Sequence, residues 1–352
     1  MKLNIVGASN FVRRMYEACG SYQWAREWLI NSIEADAGWI EFGIEWQGVS
    51  KHGHYRRMIS DDGCGMSKIE LPNYFKALGA GSKKIGGIHD HFGVGAKVAS
   101  LPWNPNGVVV ISYKNSQASM IWMKLDEDSQ DYELHEFETD GDLQTVIDPT
   151  QVDWPKNDVD WGLIKPDRIK EHGTVVILLG SSSAPDTVIG NPDSDETEIK
   201  GLSSYLNTRF WNLDLEVTVV ELRSEKKAQW PEYEKEKDDS KRPNNRKIRG
   251  AKHFVADVKH TDGRLKKSDV EFLDDQRVLA EWYLWEGDRP AIHSYAKKQG
   301  YVALRYKNEL YDLSTKPAVF RHFGIIEREV QNQVTIILEP ELYTPGASNW
   351  GI

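Results

Sequence analysis

The chain has 352 residues, 39% hydrophobic and 28% charged, with a formal net charge of −10. That mixture is typical of a soluble globular protein with room for two domains, and no apolar run approaches the ~18 to 20 residues of a membrane helix. The acidic balance argues against a protein coated in nucleic acid but leaves room for a local basic patch.

The opening MKLNIVGASNFVRRM has no long apolar stretch before a small-residue cleavage site, so no secretory leader is expected, and the two cysteines, Cys19 and Cys64, supply no metal cluster or disulfide framework. Both features point to a reducing cytoplasm. Thirteen tryptophans read as core and interface anchors.

Residues 12–37 read as helical, and WIEFGIEW (39–46) alternates as a strand does. GHYRRMISDDGCGM is a strand running into a glycine-rich turn. SKIELPNYFKALG reads as a helix opened by Ser67, with Glu70 three residues on as a capping box. A glycine-rich segment follows at 79–97. GVVVISYK, ASMIWMKL and GTVVILLG are strand candidates. Helices and hairpins mix without strict alternation, which predicts an α+β sandwich rather than a doubly wound sheet. A polar loop at 180–198 marks the first composition shift, and LEVTVVEL is expected to open a second β-rich region. The charged insertion RSEKKAQWPEYEKEKDDSKRPNNRKIRGAK is expected to be exposed. LAEWYLWEG, GYVALRYKNELYDL and NQVTIILEPELY read as further strands, while DVEFLDDQR has no clear assignment.

Four short pieces carry the chemistry. In REWLINSIEADA, Glu27, Asn31 and Glu34 recur at spacings of four and three, which places them on one helix face. In DDGCGM, an ionised Asp61 can accept a hydrogen bond from an exocyclic amine, and Gly63 and Gly65 let backbone approach a flat ring. In HFGVGAK, Gly93, Gly95 and Lys97 lead towards a helix start, where N–H groups and the helix dipole favour phosphate. In GTVV, Gly173 and Thr174 enter a strand. Each piece alone is common; the four in this order are not.

The set resembles the GHKL ATPases: gyrase, the ninety-kilodalton heat-shock chaperone, histidine kinases and MutL. EWLINSIEADA resembles their E-x-x-x-N-S-x-[DE]-A motif, DDGCGM their D-x-G-x-G motif, GVGAK the glycine motif closing the ATP lid, and GTVV the late G-T-x-V strand. The resemblance spans about residues 20–180 and implies a Bergerat-type ATPase sandwich, helices over a mixed β-sheet, with ATP and Mg²⁺ as ligands. It implies that Glu27 orients or deprotonates the attacking water and that Asn31 ligates Mg²⁺. Asp61, Gly63, Gly65, Met66 and Thr174 would hold the adenine. Ser82, Lys83, Gly93, Val94, Gly95, Ala96 and Lys97 would form the lid and hold the phosphates. Glu34 stands where the family usually has Asp.

Glu27, four residues before Asn31, sets the chain apart from the histidine kinases. The Ser82-Lys83-Lys84 element before Phe92-Gly93-Val94-Gly95 is most like the MORC and chaperone type, and Lys97 falls where MORC proteins have lysine. The second half resembles the transducer module of MORC, MutL and gyrase, a smaller α/β domain. The expected division is therefore an ATP-binding domain over 1–200 and a transducer-like domain over 201–352. The final loop, EPELYTPGASNWGI, has no lysine to reach a γ-phosphate; Lys307 and Lys316 are the nearest before it.

Two functional readings follow from the resemblance. One is an ATP-gated homodimeric clamp on DNA, with Lys241, Arg242, Arg246, Lys247 and Arg249 as candidate DNA contacts in a run of six cations without an acid, KRPNNRKIRGAK. The other is a chaperone-like or regulatory ATPase that controls a partner protein or a C-terminal effector region, such as a nuclease in bacterial anti-phage defence. Both readings are expected in the cytoplasm, with the nucleoid or nucleus as the alternative, and neither involves a membrane.

Overall fold

The computed structural model describes residues 8–76, 95–126, 128–129, 131–139, 141–188, 190, 201–221, 244–256, 264–273, 278–286 and 300–340. The chain packs into two compact units, Met1–Glu198 with Leu215–Lys247, and Ile199–Asp214 with Ile248–Ile352.

The first unit is built on an eight-stranded mixed sheet of order β10-β9-β1-β2-β8-β3-β4-β5. Its strands are β1 (Trp39–Glu45), β2 (Arg56–Asp61), β3 (Val108–Lys114), β4 (Gln117–Leu125), β5 (Tyr132–Leu134), β8 (Gly173–Leu178), β9 (Glu216–Glu221) and β10 (Asn244–Ile248). A small hairpin, β6 (Phe137–Thr139) with β7 (Asp142–Gln144), stands apart. The two faces of the sheet follow strictly from strand alternation. Ile40 pairs with Asp61, Asp61 with Thr174 and Thr174 with Ser112, so these side chains share one face. Trp24 of α2 (Gln23–Glu34) packs edge-on against Phe42, which sits on that face. The opposite face carries Val109, Ile111, Val175 and Ile177, buried under the segment that includes Phe137, Ile147, Val159 and Trp161.

Residues 12–37 form two helices, not one: α1 (Ala8–Glu17) and α2, separated by a turn at 18–22. Gly20 and Ser21 lie in that turn, and both are weak helix formers that favour turns. Further along come α3 (Trp46–His52), α4 (Glu70–Lys76) and α5 (Gly95–Ser100). The capping box is present before α4: Glu70 Oε2 accepts from Ser67 N–H at 2.8 Å, while the Glu70 N–H lies 3.4 Å from Ser67 Oγ.

LEVTVVEL does not open a second sheet. Its strand, β9, pairs parallel with β1 of the first. The buried Arg57 guanidinium donates to Phe42 O at 2.6 Å and to Val220 O at 3.0 Å, bridging β1 and β9. Part of the charged insertion is also ordered, since 244–248 is the edge strand β10. Arg246 is half-buried and Lys247 exposed there; Arg249, also exposed, donates its N–H to Asn207 Oδ1 at 2.9 Å.

The second unit carries α6 (Leu202–Arg209) and a five-stranded sheet of order β11-β12-β15-β13-β14. The strands are β11 (Leu265–Leu273), β12 (Val278–Trp285), β13 (Val302–Tyr306), β14 (Glu309–Ser314) and β15 (Val334–Pro340). DVEFLDDQR thus supplies the end of strand β11. YVALRYKNELYDL folds as the β13–β14 hairpin, its turn made by Lys307 and Asn308 at φ of +48° and +64°. Arg305 on β13 is buried between Glu281 and Glu339, at 2.6 Å from each.

Candidate active site

The site is assembled on α2, the ends of β2 and β8, the middle of β3, and the first turn of α5. Helical spacing brings Glu27, Asn31 and Ser32 towards the sheet side of α2, while Glu34 is exposed. The Ser32 hydroxyl lies 2.9 Å from Asp61 Oδ2, joining the helix to the end of β2. Asp61 Oδ1 accepts the Gly63 N–H at 2.9 Å. Burial pushes the Asp61 carboxyl up to about 6; the Gly63 N–H, the Ser32 hydroxyl and the Thr174 N–H oppose that rise, and Asp62 adds to it. A carboxylate offers roughly four acceptor positions, so Asp61 retains capacity for a further donor.

The turn after β2 runs hard against the neighbouring strands. Gly65 has φ of +61°, and a Cβ there would come within 1.9 Å of Tyr113 O. The Met66 N–H donates to Ser112 Oγ at 2.8 Å, and Ser112 Oγ lies 3.1 Å from Thr174 Oγ1. Asp61, Gly63, Gly65, Met66 and Thr174 are thereby brought into one corner.

The other corner centres on Glu27, which is buried. Its Oε1 accepts from Gln23 Nε2 and from Arg26 Nη1, each at 2.5 Å. Its Oε2 faces Gly95: a Cβ on that glycine would come within 2.0 Å of it. The indole N–H of Trp28 donates to Ser100 Oγ at 3.0 Å, which fixes α5 against α2. Ala96 and Lys97 are buried on α5, and burial lowers the Lys97 ammonium to about 8. Ser82, Lys83, Gly93 and Val94, like Lys241 and Arg242, lie outside the described residues.

Among the described residues no group of three His, Cys, Asp or Glu side chains could hold a metal ion. A Mg²⁺ site here would therefore rest on the half-buried Asn31, water and substrate phosphates, which suits a cation that keeps several waters.

Residues 25–150 match the family described as histidine kinase-, DNA gyrase B- and HSP90-like ATPase. This stretch is a GHKL-type ATPase domain. No curated protein matches the sequence significantly. Solved structures similar to the chain include the following three. The 43K ATPase domain of Thermus thermophilus gyrase B, in complex with an aminocoumarin, is 12% identical, with 91% of this chain and 77% of that chain covered and a TM-score of 0.41. The B-subunit of the DNA gyrase from Myxococcus xanthus is 10% identical, with 95% and 86% covered and a TM-score of 0.46. The N-terminal domain of a DNA repair protein is 13% identical, with 95% and 90% covered and a TM-score of 0.47.

Two side chains of this corner of the GHKL domain, Ser32 and Ser112, were not among the candidates. Ser32 stands in the N-S pair of the first motif, a signal that was available. Ser112 has no local signal, because only the register of β3 on β8 sets it opposite Thr174.

Proposed function

We propose that the chain is a Mg²⁺-dependent ATPase that works as an ATP-gated dimerising switch on DNA, of the MORC and MutL type, with residues 201–352 as its transducer. The observation that carries this reading is the joining of two separate motifs at one carboxylate, Glu27 Oε2 against Gly95, on the helix whose Ser32 also holds a buried Asp61 with acceptor capacity to spare. Asp61 accepts the adenine amine, with Thr174 and the turn through Gly63, Gly65 and Met66 forming the wall of the base pocket. Gly95, Ala96 and Lys97 meet the phosphates, with Ser82, Lys83, Gly93 and Val94 supplied by the lid. Asn31 would hold Mg²⁺, which screens phosphate charge when bound. Glu27 has one oxygen anchored by Gln23 and Arg26 and the other on the phosphate side, which suits a base that orients and deprotonates water.

The test is ATP binding and turnover in parallel. Glu27→Ala should bind ATP while losing about 10²–10⁴-fold in turnover, as removal of a general base does, and should accumulate a dimer. Asp61→Asn should fail to bind. Normal hydrolysis by Glu27→Ala would overturn the assignment of the base, and a wild type that binds no ATP would overturn the function itself.

The DNA reading rests on the basic run of Lys241, Arg242, Arg246, Lys247 and Arg249, beside and within the edge strand β10. Charge reversal at Arg246, Lys247 and Arg249 should weaken DNA binding and lower its salt dependence. ATPase activity indifferent to DNA, together with a co-purifying protein, would favour the partner-directed reading instead.

A further inference from the structure

A cavity of about 560 Å³ opens in the first unit, within the range of small-molecule sites. It lies on the sheet face opposite the Asp61 corner and at the other end of the strands. Arg56 lines it, at the start of β2, five residues before Asp61 and so roughly 16 Å away along the strand. Trp122, Trp154 and Trp161 also line it. The indole N–H groups of Trp122 and Trp154 are spent on Asn106 O and Pro149 O, at 2.9 Å each, so these rings have only their apolar surfaces left to offer.

Two cations complete the lining, Arg56 and Lys124. The Arg56 Nε is buried without a hydrogen-bond partner among the described residues, and burial lowers the pKa of its guanidinium. Two acids line the cavity as well, but both are engaged elsewhere. Asp126 accepts from Ser129 Oγ at 2.7 Å, and Asp158 accepts the Val159 N–H at 2.7 Å and sits 3.4 Å from His52. Glu45 and Asp158 still act on Arg56 at longer range.

A buried guanidinium N–H without a partner among the described residues, in a cavity lined by tryptophans, is a costly arrangement. It suits a ligand with a flat ring and an anionic group, because indole surfaces stack on any nucleobase and a guanidinium fork matches phosphate. We propose that this cavity is a second ligand site that takes a nucleobase bearing a phosphate, with the base on the tryptophans and the phosphate on Arg56 and Lys124. The same chemistry is offered by a free mononucleotide and by the end of an unpaired nucleic-acid strand. The inference does not depend on the ATPase reading, since no residue is shared between the two sites.

The experiment is calorimetric titration of the full chain, with a non-hydrolysable ATP analogue present, against thymidine 5′-monophosphate, thymidine and a short oligothymidylate. Binding of a phosphate-bearing probe is expected with a Kd below about 1 mM. Arg56→Gln and Lys124→Gln should each weaken it about tenfold, the loss expected for one charge-assisted contact. Thymidine should bind weakly or not at all. Equal binding of monophosphate and oligomer makes the ligand a free nucleotide; binding of the oligomer alone makes it a strand end. Thermal unfolding of both variants reports whether they fold, and Lys124→Gln, at the rim of β4, keeps the test open if Arg56→Gln does not. No binding of either phosphate-bearing probe, or binding unchanged in a folded variant, overturns the proposal.

Discussion

The two corners of the candidate site are built from different materials. The Asp61 corner is made of backbone at the ends of strands, with Gly65 pressed against Tyr113 O and the Met66 N–H on Ser112. The Glu27 corner is made of side chains on helices, with Gly95 pressed against a carboxylate. Backbone in a sheet cannot move aside, whereas a glutamate can change rotamer at modest cost. Yet burial drives one ionisable group in each corner towards neutrality: Asp61 up to about 6 and Lys97 down to about 8. The comparison teaches that one end is a rigid template and the other an adjustable one, and that both hold a charge the unliganded protein poorly accommodates.

The largest expected effect separates the corners by stability. Gly65→Ala must place a Cβ within 1.9 Å of a carbonyl oxygen at φ of +61°. It should cost about 3 kcal/mol or more in chemical denaturation. Gly95→Ala first meets the Glu27 side chain and should cost about 1 kcal/mol, while reducing turnover strongly. Equal losses of stability would break the distinction.

Next comes the charge at Asp61. Its pKa is raised from 3.8 to about 6, so the stabilising effect is fully present below pH 3.8 and is lost as pH rises through about 6. In the ligand-free state Asp61→Asn should therefore be more stable than wild type at pH 7 by about 2 kcal/mol, with the advantage fading towards pH 4. The same variant should bind ATP at least about 100-fold more weakly, because the adenine amine then faces a donor. Melting curves across pH, beside nucleotide titrations, read both arms.

The smallest effect is a proton count. Bound nucleotide should hold Asp61 ionised and Lys97 protonated. ATP binding should then release a fraction of a proton near pH 6 and take up a fraction near pH 8 to 8.5, the directions set by the two shifts. Titrations in buffers of different ionisation enthalpy measure this, and Lys97→Met should abolish the uptake alone. Proton exchange of one sign at both ends of the range would show that the two groups do not flank the ligand.

Local pattern determined a good deal of this protein. The helix carrying Glu27 and Asn31, the Ser67–Glu70 capping box, the glycine turn after Asp61 and the strands β3, β4 and β8 follow from spacings of a few residues, which act on the chain wherever it lies. The Lys307-Asn308 hairpin lay within a stretch read as strand. Other features depended on partners far along the chain. Only the tertiary structure decided that LEVTVVEL joins β1 rather than opening a new sheet, and that Ser112 completes the Asp61 corner. It alone brought Arg56 and Lys124 to one cavity, because strand register and the burial of a charge are properties of packed neighbours, which composition and local spacing do not contain.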